Sequence, residues 1–157
     1  MLRLFLVFLC LVAAPAAAQQ PPRNGYGVET YNDGSRYEGN FRNGKRDGRG
    51  VYTYPNGGRY EGEFRQDVRQ GYGIYYYPDG GRYEGQWVQN QRHGQGMMRW
   101  ADGAVHTGMW ANGNAHGYGR KVFADGETYE GQWVNGCFRQ GERWSTSGPT
   151  PEQCGYR

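Results

Sequence analysis

The chain has 157 residues, of which 28 are Gly and 16% are aromatic. This mixture excludes a helical domain, because Gly costs a helix interior about 1 kcal/mol whereas Tyr, Trp and Phe suit a pleated, half-buried surface. The formal net charge is +3 with both signs interspersed and no polybasic block, so nucleic acid has no electrostatic footprint to bind.

The first residues carry the three parts of a secretory signal: basic Arg3, an apolar run from Leu4 to Val12, and small residues from Ala13 to Ala18. The run is shorter than the ~20 residues of a spanning helix, and no comparable run follows. Residues 1–18 are therefore expected to be a signal peptide cleaved near Ala18, leaving a secreted or periplasmic protein. Leu9 before Cys10 argues against lipid attachment, which calls for a small residue there. Loss of Arg3 leaves 17 Lys+Arg against 15 Asp+Glu, a net charge of +2. Residues 19–24, with Pro21-Pro22, read as a short flexible leader.

From Gly25 the sequence repeats every 23 residues. Tyr37-Glu38-Gly39-Asn40-Phe41 is followed in register by Tyr60 to Phe64, Tyr83 to Trp87, His106 to Trp110 and Tyr129 to Trp133. The pairs Gly25/Gly27, Gly48/Gly50, Gly71/Gly73, Gly94/Gly96 and Gly117/Gly119 keep the same period, as do the turns Asp33-Gly34, Asn56-Gly57, Asp79-Gly80, Asp102-Gly103 and Asp125-Gly126. Such repetition marks an array of one supersecondary unit. An Asn-Gly or Asp-Gly step between alternating runs signals a hairpin, with a type I′ turn expected there, so each repeat supplies two antiparallel strands. In the first, Tyr37, Gly39 and Phe41 share the packed face, while Arg36, Glu38 and Asn40 share the other. In the second, Gly48, Gly50, Tyr52 and Tyr54 are expected on one side, with rings lying against glycine backbone. Gly44, Asp67, Asn90, Gly113 and Gly136 form a further column in the other connection, all residues that tolerate left-handed backbone. Arg36/Glu38, Arg59/Glu61 and Arg82/Glu84 are expected to form cross-strand ion pairs on the outer face.

Tyr-Glu-Gly-x-Trp/Phe, a short polar loop, Gly-x-Gly and an Asp-Gly turn, recurring over about three quarters of the chain, resemble the MORN (membrane occupation and recognition nexus) repeat family. The departures are His106-Thr107 in place of Tyr-Glu, and the slip after Gly136 that puts Gly141 one place late. The expected fold is all-β: a single elongated, curved antiparallel sheet of consecutive 23-residue hairpins, about 50 Å long at ~4.8 Å per strand. Residues 25–141 form the array, a half repeat plus about five copies starting at 37, 60, 83, 106 and 129. Residues 142–157 read as a C-terminal cap over an open strand edge. After cleavage only Cys137 and Cys154 remain, which in an oxidising compartment implies one disulfide.

The chemistry-bearing residues argue against an enzyme. Gly-x-Gly cradles phosphate only before a helix N-terminus, and none is expected. Glu38, Glu61, Glu84 and Glu130 are equivalents of one another, whereas acid–base catalysis needs unlike environments. His93 and His116 stand where other repeats carry Asp47 and Gln70, and no Cys or carboxylate is spaced to complete a site with His106, so no metal or cofactor is expected. What remains is surface. Tyr37, Phe41, Tyr60, Phe64, Tyr83, Trp87, Trp110, Tyr129 and Trp133 are the candidate binding groove, most of them expected in the core and the remainder open to a partner. The leading reading is a non-enzymatic scaffold for a protein partner, with self-association suggested by the family resemblance. Membrane phospholipid headgroups, implied by the family name, and glycan or peptidoglycan are the alternatives; no small-molecule substrate is identified.

Overall fold

A computed structural model describes residues 22–155; the signal segment and residues 19–21 of the leader lie outside them. Twelve strands follow in order: β1 (Gly25–Thr30), β2 (Arg36–Arg42), β3 (Lys45–Thr53), β4 (Arg59–Arg65), β5 (Val68–Tyr76), β6 (Arg82–Val88), β7 (Gln91–Arg99), β8 (Val105–Ala111), β9 (Asn114–Val122), β10 (Thr128–Val134), β11 (Cys137–Gln140) and β12 (Arg143–Thr146). They form one open antiparallel sheet in chain order, each strand lying beside its sequence neighbours. No helix occurs among the described residues.

Two kinds of turn alternate, and they are not distributed as the dipeptides imply. At Asp33-Gly34 only the glycine is left-handed (φ 85°), and Gly34 N–H donates to Tyr31 O while Tyr31 N–H donates to Ser35 O. This is a type I turn closed by a glycine bulge, so the expected type I′ geometry is absent at the Asp-Gly steps. Type I′ character belongs to the other connection, where Asn43-Gly44 has φ of 52° and 76° and Gln66-Asp67 has 51° and 71°. The asparagine and aspartate of these turns tolerate that region at modest strain.

The glycine pairs have two separate causes. Gly50 and its counterparts belong to a continuous rib across the sheet, in which Gly27, Gly39, Gly50, Gly62, Gly73, Gly85, Gly96, Gly108, Gly119 and Gly131 face one another in register. The repeat's tyrosine lies on this rib: a Cβ on Gly50 would come within 2.5 Å of the Tyr37 ring, and one on Gly73 equally close to Tyr60. Gly48 does not share that face. It is left-handed (φ 110°) beside the register shift between Gly39 and Phe41, and a Cβ there would meet Asn40 on the opposite face. The irregularity breaks the simple two-residue alternation.

The C-terminal segment continues the sheet. Arg143–Thr146 pairs with β11 as β12, where only irregular cap had been expected. Cys137 and Cys154 are bonded, with their Cα atoms 5.7 Å apart, and this ties the following turns back to β11.

Two outcomes follow from this packing. Gly73→Ala forces a methyl into the Tyr60 ring, and overpacking of this kind costs about 1–3 kcal/mol, read as a lower urea midpoint. Cys154→Ser opens a loop of sequence separation 17, worth about 3 kcal/mol in chain entropy; amide exchange should quicken in β11 and β12 and stay unchanged in β2 to β6.

Candidate binding face

Eight of the nine candidate groove rings are buried in the interior of the ring face: Tyr37, Phe41, Tyr60, Phe64, Tyr83, Trp87, Trp110 and Trp133. They interlock edge to face from Tyr37 to Trp110, and His106 links Trp110 to Trp133. Tyr37 meets Phe41 and Phe64 at 5.1 Å, Tyr60 meets Phe64 at 5.1 Å and Trp87 at 5.3 Å, and Tyr83 meets Trp87 at 5.3 Å and Trp110 at 5.2 Å. Each such pair contributes about 0.5–1.5 kcal/mol beyond its burial. Their polar atoms are spent on backbone: Tyr37 Oη donates to Asn40 O at 3.0 Å, and Trp87 Nε1 to Gly73 O at 3.1 Å. Burial pushes the Tyr37 phenol up to about 12. Tyr129 is half-buried, for a local reason. The counterpart of Gly50 in its repeat is Glu142, so no glycine seat exists, and Phe138 lies over Gly131 instead.

The accessible part of this face is a different set of rings. Tyr31, Tyr54, Tyr77, Trp100 and Phe123 recur every 23 residues just before the Asp-Gly turns, all half-buried. With Tyr52 and Tyr75 the first three make a chain of contacts, Tyr31–Tyr52 at 5.9 Å, Tyr52–Tyr54 at 4.6 Å, Tyr54–Tyr75 at 5.6 Å and Tyr75–Tyr77 at 4.6 Å. Arginines stack beside it: Arg46 over Tyr52 at 4.9 Å, Arg69 over Trp87 at 4.4 Å and Arg92 over Trp110 at 4.7 Å. The same guanidinium groups reach the next turn, where Arg46 donates to Asp67 O and Arg69 to Asn90 O. Tyr54, Tyr75, Tyr77, Arg69 and Arg92 line a groove of about 370 Å³, of which Trp87 forms part of the floor. Sequence reading missed this column because it flanks turns; its uninterrupted aromatic identity at the repeat period was the available signal.

On the opposite face the three expected ion pairs run along single strands, not across them, while Arg120–Glu130 pairs across strands, from β9 to β10, at 3.5 Å. Arg36 bonds Glu38 at 2.7 Å, and Arg59–Glu61 and Arg82–Glu84 pair in the same way. The i and i+2 side chains of one strand share a face, and this proximity wins over the neighbouring strand, where Val51 and Ile74 stand opposite the glutamates. His93 and His116 are exposed and His106 is buried, and no group of three or more His, Cys, Asp and Glu among the described residues is placed to hold a metal ion.

The model of the MORN repeat matches six successive segments, residues 22–36, 37–59, 60–82, 83–105, 106–128 and 129–144. The chain belongs to the MORN repeat family. A search of curated proteins finds no match. Among solved structures it is similar to the SAS-4 (dCPAP) TCP domain of Drosophila melanogaster, determined in complex with a proline-rich motif of Ana2 (dSTIL). Identity there is 13% and the TM-score 0.45, over 71% of this chain and 62% of that one.

The fourth MORN unit carries the array's one polar substitution in the tyrosine column. His106 is fully buried, edge-on to Trp110 at 5.4 Å and Trp133 at 4.6 Å, and neither ring nitrogen has a hydrogen-bond partner. Burial, with Lys121 nearby, depresses its pKa to about 4. Lys121 is itself buried, its ammonium donating to Thr146 O at 2.6 Å and lying over Trp100 and Phe123. Above the unfolded histidine value near 6.5 both states are neutral and His106 adds no pH dependence. As pH falls from there towards 4 the unfolded chain takes up the proton first, so stability is lost, by up to about 3 kcal/mol. Urea titrations at pH 7.5 and 4.5 should show this loss in the native chain and a smaller one in His106→Tyr, which restores the column residue.

Proposed function

We propose that this chain is a non-enzymatic interaction scaffold that binds an extended protein segment along its ring face. The half-buried ladder of Tyr31, Tyr54, Tyr77, Trp100 and Phe123 carries this reading. It offers amphipathic rings at a fixed period, beside guanidinium groups already held in place by turn carbonyls. Ordered aromatics and arginines of this kind are the side chains that anchor protein interfaces. Preorganised rings also lose little rotamer freedom on binding.

A purely architectural role for the carboxylates supports the non-catalytic part of the reading. Glu38 and Glu84 hold equivalent arginine and tyrosine partners, so no unique pair of acids stands apart. Secretion or periplasmic export after cleavage near Ala18 belongs to the same proposal, and the Cys137–Cys154 bond, which persists in oxidising compartments, supports it.

The test is affinity capture from envelope extract with the native chain and with a Tyr77→Ala/Trp100→Ala double variant, each first checked for an unchanged thermal midpoint. A partner recovered by the native chain should fall roughly tenfold in the variant, the loss of about 1.4 kcal/mol. Recovery that ignores the double substitution, or capture only by anionic vesicles in a parallel co-sedimentation, removes the proposal.

A further inference from the structure

The opposite face carries a second periodicity, twice as long as the repeat. The residue between the paired glycines is Tyr26, Arg49, Tyr72, Gln95 and Tyr118 in successive units, so a tyrosine returns every second unit. These tyrosines are among the most exposed large side chains of the described residues, at 66%, 50% and 57% for Tyr26, Tyr72 and Tyr118. Each is nevertheless pinned. Its hydroxyl donates to the glutamate twelve residues on, Tyr26 to Glu38 at 2.9 Å, Tyr72 to Glu84 at 2.6 Å and Tyr118 to Glu130 at 2.9 Å. Tyr26 and Tyr72 bound a groove of about 520 Å³, floored by Val51 and Ile74 and rimmed by Asn40, Arg49 and Glu63.

We infer that this face binds a linear, uncharged polysaccharide laid across the strands, with sugar rings stacked on Tyr26, Tyr72 and Tyr118. The charges select against a polyion. Glu38 is paired with Arg36 and Glu61 with Arg59, and Arg49 stands opposite Glu63 in register, so the groove presents polar groups without a net field. Carboxylate, amide and guanidinium groups are planar and bidentate, the geometry that takes neighbouring hydroxyls. The exposed rings supply flat apolar faces for the C–H side of a pyranose, held in place before binding. Successive tyrosines lie four strand spacings apart, about 19 Å at ~4.8 Å per strand. A row of identical contacts at constant spacing fits a ligand that itself repeats.

Native affinity electrophoresis tests this with hydroxyethylcellulose and glycol chitin as uncharged probes and polygalacturonate as the anionic control. The native chain should be retarded by at least one uncharged polymer, and Tyr72→Ala should weaken that retardation roughly tenfold. Tyr72→Phe keeps the ring and should lose far less, which separates stacking from the hydroxyl contact. Tyr77→Ala/Trp100→Ala, on the ring face, should leave polysaccharide binding intact, so failure here is distinct from failure of the scaffold proposal. No retardation by either neutral polymer, preference for the polyanion, or indifference to Tyr72→Ala overturns the inference. So does self-association in light scattering that Tyr72→Ala abolishes, since the face would then belong to a second copy.

Discussion

A phenol or indole ring resting on backbone that has no side chains is the contact on which this fold depends. A single sheet has no second layer to bury against, so its core must lie flat on one of its own faces. The glycine rib makes that possible. Because Gly39 and Gly50 oppose each other without Cβ atoms, Tyr37 settles onto the main chain and its hydroxyl reaches Asn40 O. The Trp side chains complete the seal by donating to glycine carbonyls of the preceding unit, as Trp110 does to Gly96 O. Abundant glycine and abundant aromatics are therefore two halves of one packing solution.

Much of this was legible in the sequence because period and residue type coincide. The 23-residue register, the packed face of the first strand and the seating of rings on glycine depend on local spacing, while the Cys137–Cys154 bond follows from the count of cysteines left after cleavage. What stayed hidden depends on departures from ideal alternation. Gly48 and Gly50 look equivalent as letters, yet one serves a left-handed irregularity and the other a ring seat. Most of the nine candidate groove rings were expected in the core, as eight of them are, but which one stays half-buried, Tyr129, was not marked. The accessible rings, Tyr54 and Tyr77 among them, sit beside turns, where an aromatic reads as incidental. The column of Tyr26, Arg49, Tyr72, Gln95 and Tyr118 reads as noise at one period and as order at double that period.

The fourth unit divides the core. One cluster of buried rings ends at Trp110, and a smaller one gathers Ala115, Trp133 and Phe138. His106 touches both, through Trp110 and Trp133. An imidazole thus occupies the joint where the other units place a phenol, without the hydroxyl that reaches main chain in Tyr37. The arginine column ends at the same place, Ala115 taking the position held by Arg46, Arg69 and Arg92. The strands nonetheless pair without interruption through this joint, from β7 to β10.

The doubled period of the outer tyrosines gives the array a parity. Excising the second unit leaves Tyr37 and Tyr83 each on a glycine seat, since the first three units are interchangeable on that side. On the other side removal of one unit brings two like rows side by side, tyrosine next to tyrosine where the Arg49 row is lost, and throws the tyrosines out of step beyond the join. Removing two units restores both. The chain can therefore lengthen or shorten freely as a folded object, while as a two-faced object it changes only in even steps.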